Sequence, residues 1–446
     1  MSFQVVYVPI GVGTYHMESA GEQFEKSVKM LKGLTDSCVC PEGVLLNLDD
    51  LKKYLDSTNP SLIILQNVTF ANAAYASEVL RRFSCPILLW TLREPVIDGG
   101  RLRLNSLTGA FSAANAICAF RKDGQFEYIF GTPEESEVIE KVKNTIAAAK
   151  MLTEIKRLKI AAIGHTPEGF GFGRALDAEI MSVFGCTLIS VEARELMEKA
   201  KNFSDEDCVS WLDKAKSIFV GLEKTPEKNV KDFARLYRAY DEFIKDNGVK
   251  AIASRCWPDF FTSFGTPVCS VLSLLNSEGT VSACEADTYG ALSMFICSQL
   301  TKSACFFGDP VSLDEKESTI TFWHCGMAAC SLARKDTGAE VGVHPNRKIG
   351  PTMEFGCKPS DNAVIFRIGR KPDGKFRMFI AEGSIPDKQK QFCGTSIVVK
   401  TNNPSKEIVT SAIKAGFEPH YVVAYDNVSE VLEILGHMLG IEVCRF

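Results

Sequence analysis

The residues able to do chemistry gather in the second half of the chain. Glu285 and Asp287 stand in SACEADTYGALSMF, where an apolar strand at 282–284 runs into an apolar helix. Asp309 closes CFFGDP, one strand–helix–strand length further on, which is the spacing of a βαβ unit. His324 stands in TFWHCG after another apolar stretch, and His420 in GFEPHYVV at a turn; the whole chain has only six histidines. A charge at the mouth of an apolar strand is costly unless it is paired, caps a helix or binds an ion. If the strands before Glu285 and Asp309 are parallel neighbours, both carboxylates lie at one carboxyl edge and can share an ion. Carboxylates and imidazoles together form a mixed oxygen–nitrogen set that suits Mn²⁺, Co²⁺ or a similar cation. Spacing alone leaves a structural alternative open: Glu285 capping the helix that begins near Thr288, Asp309 opening a turn with Pro310, and both histidines serving as surface or core groups.

These residues need a frame. In the first third, apolar strands at 4–10, 61–68 and 86–90 alternate with helix-period stretches at 21–34, 71–83 and 107–120. Near-continuous apolar strands alternating with helices predict a parallel sheet covered on both faces. A Lys- and Glu-rich helix at 134–156 reads as a solvated connector. A second α/β unit opens with LKIAAIG at 158–164 and carries helices near 174–184 and 230–247. It continues with strands at 251–257, 282–284 and 304–307 and helices at 267–275 and 288–300. After about residue 312 the texture becomes β-rich. A Pro-Asp-Gly turn between 363–369 and 375–382 signals a hairpin, a short strand follows at 396–400, and a closing helix lies at 428–439. The expected fold class is α/β: two parallel-sheet domains, 1–156 and 157–312, the second carrying the carboxylates, then a β-rich, barrel-like domain, 313–446, with a closing helix.

Composition narrows the function classes. The chain has 446 residues, 46% hydrophobic and 24% charged, with net charge −5. There is no basic stripe for nucleic acid and no apolar stretch of membrane-spanning length. The opening MSFQVVYVPIGVG reads as a buried strand and not as a signal peptide. Sixteen scattered cysteines without a CxxC pair read as reduced thiols, so the expected location is cytoplasmic. Two glycine-rich loops fail as dinucleotide sites. After Gly11 and Gly13 the third glycine position falls on His16, and after Gly169 and Gly171 it falls on Arg174. No GxSxG elbow supports a serine hydrolase. Cys325 beside His324 is a poor nucleophile–base pair, because such partners meet in space and seldom as adjacent residues.

The run RCWPDF…PVCSVLSLLNSEGTVSACEADTYGALSM…CFFGDP…FWHCG…EPHYV resembles the L-fucose isomerase/L-arabinose isomerase family. LLWTLREPVIDGGRLRLNSLTGAF and GHTPEGF resemble further segments of it, so the likeness touches most of the chain. The resemblance implies two Rossmann-like domains, a β-rich C-terminal domain, and a homo-oligomer, trimer or hexamer, with a shared active site. It also implies aldose–ketose interconversion of a small sugar with Mn²⁺, or another divalent ion such as Co²⁺ or Mg²⁺. Glu285 matches the first metal carboxylate, Asp309 the second and His420 the C-terminal histidine ligand. His324 matches the additional histidine of arabinose-type members, and Asp287 matches no ligand, which suits a role in capping the helix that follows it. Asp309 follows the fucose-type pattern and His324 the arabinose type, so the chain falls between the two and the sugar is not carried over.

Such an isomerase moves a proton between C2 and C1 through an enediol. The cation acts as a Lewis acid on O1 and O2, and Glu285 and Asp309 remove and return the proton from the two faces. Trp257 and Trp90 are candidates for stacking on the sugar, with a place in the core as the alternative. Arg101, Arg103 and Asn105 are candidates for hydroxyls or an acidic substituent, with a surface ion-pair patch as the alternative. Tyr15 and His16 are placed to serve a neighbouring subunit, and Arg347 and Lys348 lie in a loop, HPNRKIGP, suited to lid the site. The leading expectation is a metal-dependent isomerase of a free monosaccharide. The alternatives are an isomerase of a modified anionic sugar and a non-catalytic sugar-binding protein on the same scaffold.

Overall fold

The computed structural model describes residues 3–121 and 126–446. The chain forms two compact units, Met1–Glu154 with Glu430–Gly440, and Ile155–Ser429 with Ile441–Phe446.

The first unit is a five-stranded parallel sheet. Its strands are β1 (Val5–Ile10), β2 (Cys38–Val39), β3 (Leu62–Asn67), β4 (Ile87–Thr91) and β5 (Glu127–Phe130), in the order β2-β1-β3-β4-β5. Every residue of β1, β3 and β4 is buried. Alternation explains why: Val6 and Val8 face one helical layer while Val5 and Tyr7 face the other. Each such Val, Leu or Ile removed from water contributes about 1.5–3 kcal/mol. The helix Ser429–Leu439 adds to this unit through Met438, which packs on the core of Val5 and Leu88.

The second unit combines a parallel sheet with a barrel. Strands β6 (Lys159–Ile163), β7 (Thr187–Val191), β9 (Ala251–Ser254) and β10 (Val281–Cys284) form a parallel sheet in the order β10-β9-β6-β7. A small three-stranded sheet joins β8 (Phe219–Val220), β13 (Ala339–Gly342) and β14 (Thr352–Met353). The barrel is built from β11 (Phe306–Asp314), β12 (Thr319–His324), β15 (Ser360–Arg370), β16 (Phe376–Ile385), β17 (Thr395–Thr401) and β18 (Tyr421–Ala424). Its six strands pair antiparallel in the ring β15-β18-β11-β12-β17-β16, closed by the β15–β16 hairpin. Closure leaves no open edge between them. The chain ends not on the helix Ser429–Leu439 but on β19 (Glu442–Arg445), which adds to β16 in parallel.

One element joins sheet to barrel. The helix Thr288–Thr301 packs against β9 and β10 on one side and β15 and β18 on the other. It is buried from Thr288 to Cys297, as a helix with neighbours all round must be. This corrects the sequence expectation for Asp309. The strand after this helix does not return to the parallel sheet beside β10. It enters the barrel as β11, which extends to Asp314 and pairs antiparallel with β12 and β18. A strand–helix–strand spacing fits either route, and only the non-local pairing decides between them.

Candidate active site

The turn after β10 sets the site. Glu285 and Ala286 both take left-handed backbone, with φ of 58° and 54°. Two consecutive non-glycine residues there cost of order 1–3 kcal/mol each and persist only where the surroundings fix them. What fixes them is one imidazole. Glu285 Oε2 lies 2.9 Å from His420 Nε2, and Asp287 Oδ2 lies 2.8 Å from His420 Nδ1. The sharp turn thus places two carboxylates, two residues apart, at opposite ends of a fully buried ring. Asp287 also caps the helix Thr288–Thr301, accepting the Gly290 N–H at 2.8 Å. The capping role read for it in the sequence is therefore one of its two jobs.

Arg367 completes this support. It stands in the apolar strand β15 with no exposure at all, and its guanidinium grips Asp287 with two bonds, at 2.5 and 3.1 Å. Burial alone would raise the Asp287 carboxyl, but Arg367 and His420 outweigh it and hold it well below the usual range. Burial would likewise lower the His420 pKa, but the carboxylates of Asp287 and Glu285 outweigh it and push it up to about 10. With Nδ1–H donating to Asp287, the neutral ring keeps a bare Nε2 aimed at Glu285 and Asp309.

Asp309 reaches the same point from the barrel, with Oδ1 3.5 Å from His420 Nε2. The two carboxyls are pushed apart. Burial lifts Asp309, against His420 and His324. Glu285, despite its burial, is held low by His420 and by the Trp257 indole, which donates to Oε1 at 2.8 Å. Opposed shifts on paired carboxyls are the pattern of acid–base sites.

His324 comes in at the end of β12. Glu285, His324 and His420 each offer one ligand atom, all within 4.8 Å of one another. Phe307 packs on both imidazoles, at ring distances of 6.1 and 4.9 Å. Among the described residues, the Nε2 atoms of His324 and His420 are buried without a hydrogen-bond partner. Orphaned nitrogens converging on carboxylates are what a divalent cation would satisfy, so the residues fit a metal. The two rings differ, however. His324 Nδ1 accepts the Cys325 backbone N–H at 3.0 Å, so its neutral form carries the proton on Nε2. His420 is the ring already set for coordination through that atom.

The loop GHTPEGFGFG, too poor in glycine at the right places for a dinucleotide, covers His420. Phe172 meets the imidazole edge-on at 5.3 Å and Phe170 lies tilted against it at 6.1 Å. Gly173 lies so close that a Cβ there would stand 2.9 Å from the Asp287 Cα, which explains why a glycine is needed.

Of the residues singled out in the sequence, Glu285, Asp309, His324, His420 and Trp257 come together in the second unit. Arg347 and Lys348 also lie in the second unit, and the other candidates for substrate contact lie in the first. Trp90 is wholly buried, its indole donating to the Gly131 carbonyl at 2.9 Å, so it is a core residue of that unit with no face open to a sugar. Tyr15, His16, Arg101 and Asn105 do gather, at the carboxyl ends of β1 and β4. Asn105 donates to the Tyr15 hydroxyl at 2.9 Å, Arg101 to the Thr14 carbonyl at 2.7 Å, and the His16 N–H to the Arg103 carbonyl at 2.9 Å. Glu94 ties this loop down by accepting the backbone N–H groups of Arg103, Leu104 and Asn105. Sequence reasoning missed Arg367 and the second role of Asp287. The available signal was an arginine inside the apolar strand VIFRIG.

No family model matches the chain. It is 59% identical over 440 residues to the sulfoquinovose isomerase of Clostridium sp. (strain MSTE9), covering 99% of this chain and 98% of that one. It is 36% identical over 442 residues to the sulfoquinovose isomerase of Priestia aryabhattai, and 34% identical to that of Alkalicoccus urumqiensis, each covering 98% of both chains.

Proposed function

We propose that this chain, which belongs to the sulfoquinovose isomerase family and is an aldose–ketose isomerase, acts on sulfoquinovose itself, a glucose skeleton with a sulfonate on C6. Of the two substrate classes read from the sequence, the relatives favour the modified anionic sugar over the free monosaccharide. The observation that carries the mechanism is the convergence of Glu285, His324 and His420 on one point, with Asp309 3.5 Å from the His420 Nε2.

Glu285, Asp309 and His420 are the residues that would hold a divalent cation, with His324 as the secondary imidazole; Mn²⁺ is the ion we favour for a mixed oxygen–nitrogen set. When bound, the cation supplies Lewis-acid stabilisation of the charge that develops on O1 and O2. The side chains do the rest. Asp309, one-third exposed and reaching the site from the barrel side, takes the proton from C2 and returns it to C1. Glu285, held ionised by the Trp257 indole and His420, flanks the opposite side of the enediol. Asp287 and Arg367 hold the His420 ring in one tautomer and do not touch the sugar. Phe170, Phe172 and Phe307 keep water from the imidazoles. A homo-oligomer with a shared site remains part of this reading, the polar edge of Tyr15, His16, Arg101 and Asn105 being its contribution to a neighbouring copy. Among the described residues no helix is long and apolar enough to cross a membrane.

The test is Mn²⁺-loaded protein in D₂O with sulfoquinovose, followed by NMR. Formation of the 2-ketose, deuterium at C2 of the aldose or C1 of the ketose, and loss of both in Glu285→Gln are the expected results. Ketose formation with no solvent deuterium over many turnovers would favour direct hydride transfer over the enediol. No turnover by well-loaded protein would remove sulfoquinovose as the substrate.

A further inference from the structure

The site as described handles C1 and C2 but leaves the anionic end of the sugar without a partner. Three arginines touch its surroundings. Arg367 is fully buried and committed to Asp287. Arg255 pairs with Asp259 at 2.6 Å and donates to the Trp257 carbonyl at 3.2 Å. Arg347 differs from both. It is exposed, and among the described residues its guanidinium has no carboxylate or hydrogen-bond partner. It lies instead over two aromatic rings, 5.4 Å from the centre of Trp257 and 5.5 Å from that of Phe261.

Trp257 is the ring whose N–H holds Glu285. Its indole therefore links the carboxylate at the reacting end to an unpaired guanidinium. An open-chain hexose has the same layout, with the carbonyl carbons at one end and the C6 substituent at the other. A guanidinium held within cation–π reach of aromatic rings and without another partner keeps its N–H donors available. Those donors match the oxygens of a tetrahedral oxyanion. The loop that carries Arg347 is also braced. His344 is buried, meets Phe261 edge-on at 4.9 Å, and its Nδ1 accepts the backbone N–H groups of Asn346 and Arg347 at 3.3 Å. The Lys348 N–H returns to the His344 carbonyl at 2.8 Å.

We propose that Arg347 is the sulfonate anchor and sets the preference for an anionic sugar, an inference that rests on the isomerase reading above. The sulfonate is remote from the proton transfer and changes little between substrate and transition state. Its anchor should therefore contribute uniform binding, visible in KM and not in kcat.

The experiment is steady-state kinetics of metal-loaded parent, R347A, R347K and K348A on sulfoquinovose, with glucose as the uncharged comparison and metal content measured for each. For R347A we expect KM for sulfoquinovose to rise by about 10–100-fold, the loss of a hydrogen-bonded charge. Its kcat should stay within about threefold of the parent. Whatever glucose turnover the parent shows should be unchanged. R347K keeps the charge but loses the planar fork and should fall between, and K348A should leave KM near the parent value. An unchanged KM in R347A, a loss in kcat with KM intact, or an equal effect of K348A would each overturn the proposal. A parent enzyme inert on sulfoquinovose would instead defeat the underlying reading of function, so the two failures are distinct.

Discussion

Asp287→Asn is the substitution that most directly tests how the site is held. Each oxygen of Asp287 has two partners: Oδ1 accepts from Gly290 and Arg367, and Oδ2 from Arg367 and His420. An amide has one oxygen; kept on the Gly290 N–H, it leaves the NH₂ group facing both the guanidinium and the imidazole N–H. The helix cap survives, since Asn caps as well as Asp, but Arg367 is left as an uncompensated charge with no exposure. Breaking a buried pair in this way costs about 3–5 kcal/mol, a large share of a typical 5–15 kcal/mol stability. His420 also loses the partner that fixes its tautomer, which lowers metal affinity by about 10–100-fold. Urea unfolding of the metal-free protein measures the first effect and calorimetric Mn²⁺ titration the second. The double variant Asp287→Asn with Arg367→Met separates them. Removing the orphaned charge should restore most of the stability, because a buried pair replaced by apolar volume is often neutral or better. Metal affinity should stay low. A single variant within about 0.5 kcal/mol of the parent, the range of an inert surface change, would refute this account of Asp287. So would a double variant no more stable than the single.

Two further predictions concern the imidazoles. The metal-free His420 pKa, raised to about 10 by Asp287 and Glu285 against the effect of burial, lies above the usual 6.5 of an unfolded chain. Its stabilisation is therefore fully present below pH 6.5 and lost as pH rises toward about 10. Metal requires the bare Nε2, so Mn²⁺ binding near about pH 7.5 should release close to one proton, and affinity should climb with pH through this window. Calorimetry in buffers of different ionisation enthalpy reads the proton count, and none released would contradict the assignment. The second prediction ranks the two rings. His420→Ala should abolish turnover and retained metal, while His324→Ala, whose Nδ1 is engaged by Cys325, should lower activity by about 10–100-fold. Equal, near-complete losses in both would overturn the ranking.

The individual elements of the candidate site are legible in the sequence. Glu285, Asp309, His324 and His420 each stand where an apolar run meets a turn or a strand end, and charge there needs a reason. The reason offered for Asp309 was wrong in one respect. It sits within a long barrel strand, not at the carboxyl end of a parallel neighbour of β10, yet the helix Thr288–Thr301 still delivers it to His420. The resemblance to sugar isomerases and the full-length relatives agree on the class of reaction, and the relatives, named sulfoquinovose isomerases, favour the modified anionic sugar that the sequence carried as its alternative. Trp90 shows the opposite limit. Its position in an apolar strand was equally compatible with stacking and with the core, and neighbours far along the chain placed it in the core.

By itself, the sequence determined the local features: alternating apolar strands and helices in the first two-thirds, the Pro-Asp-Gly hairpin that joins β15 to β16, the cap at Asp287, and the residue types able to hold an ion. These follow from period, turn chemistry and side-chain identity, which are properties of neighbours along the chain. Only the tertiary structure decided which strands pair, that six of them close into a barrel, and that Arg367 in β15 meets Asp287 across 80 residues of chain. It also set Arg347 over Trp257. Such contacts depend on backbone pairing and packing between distant segments, and nothing in the spacing of residues along a chain encodes them.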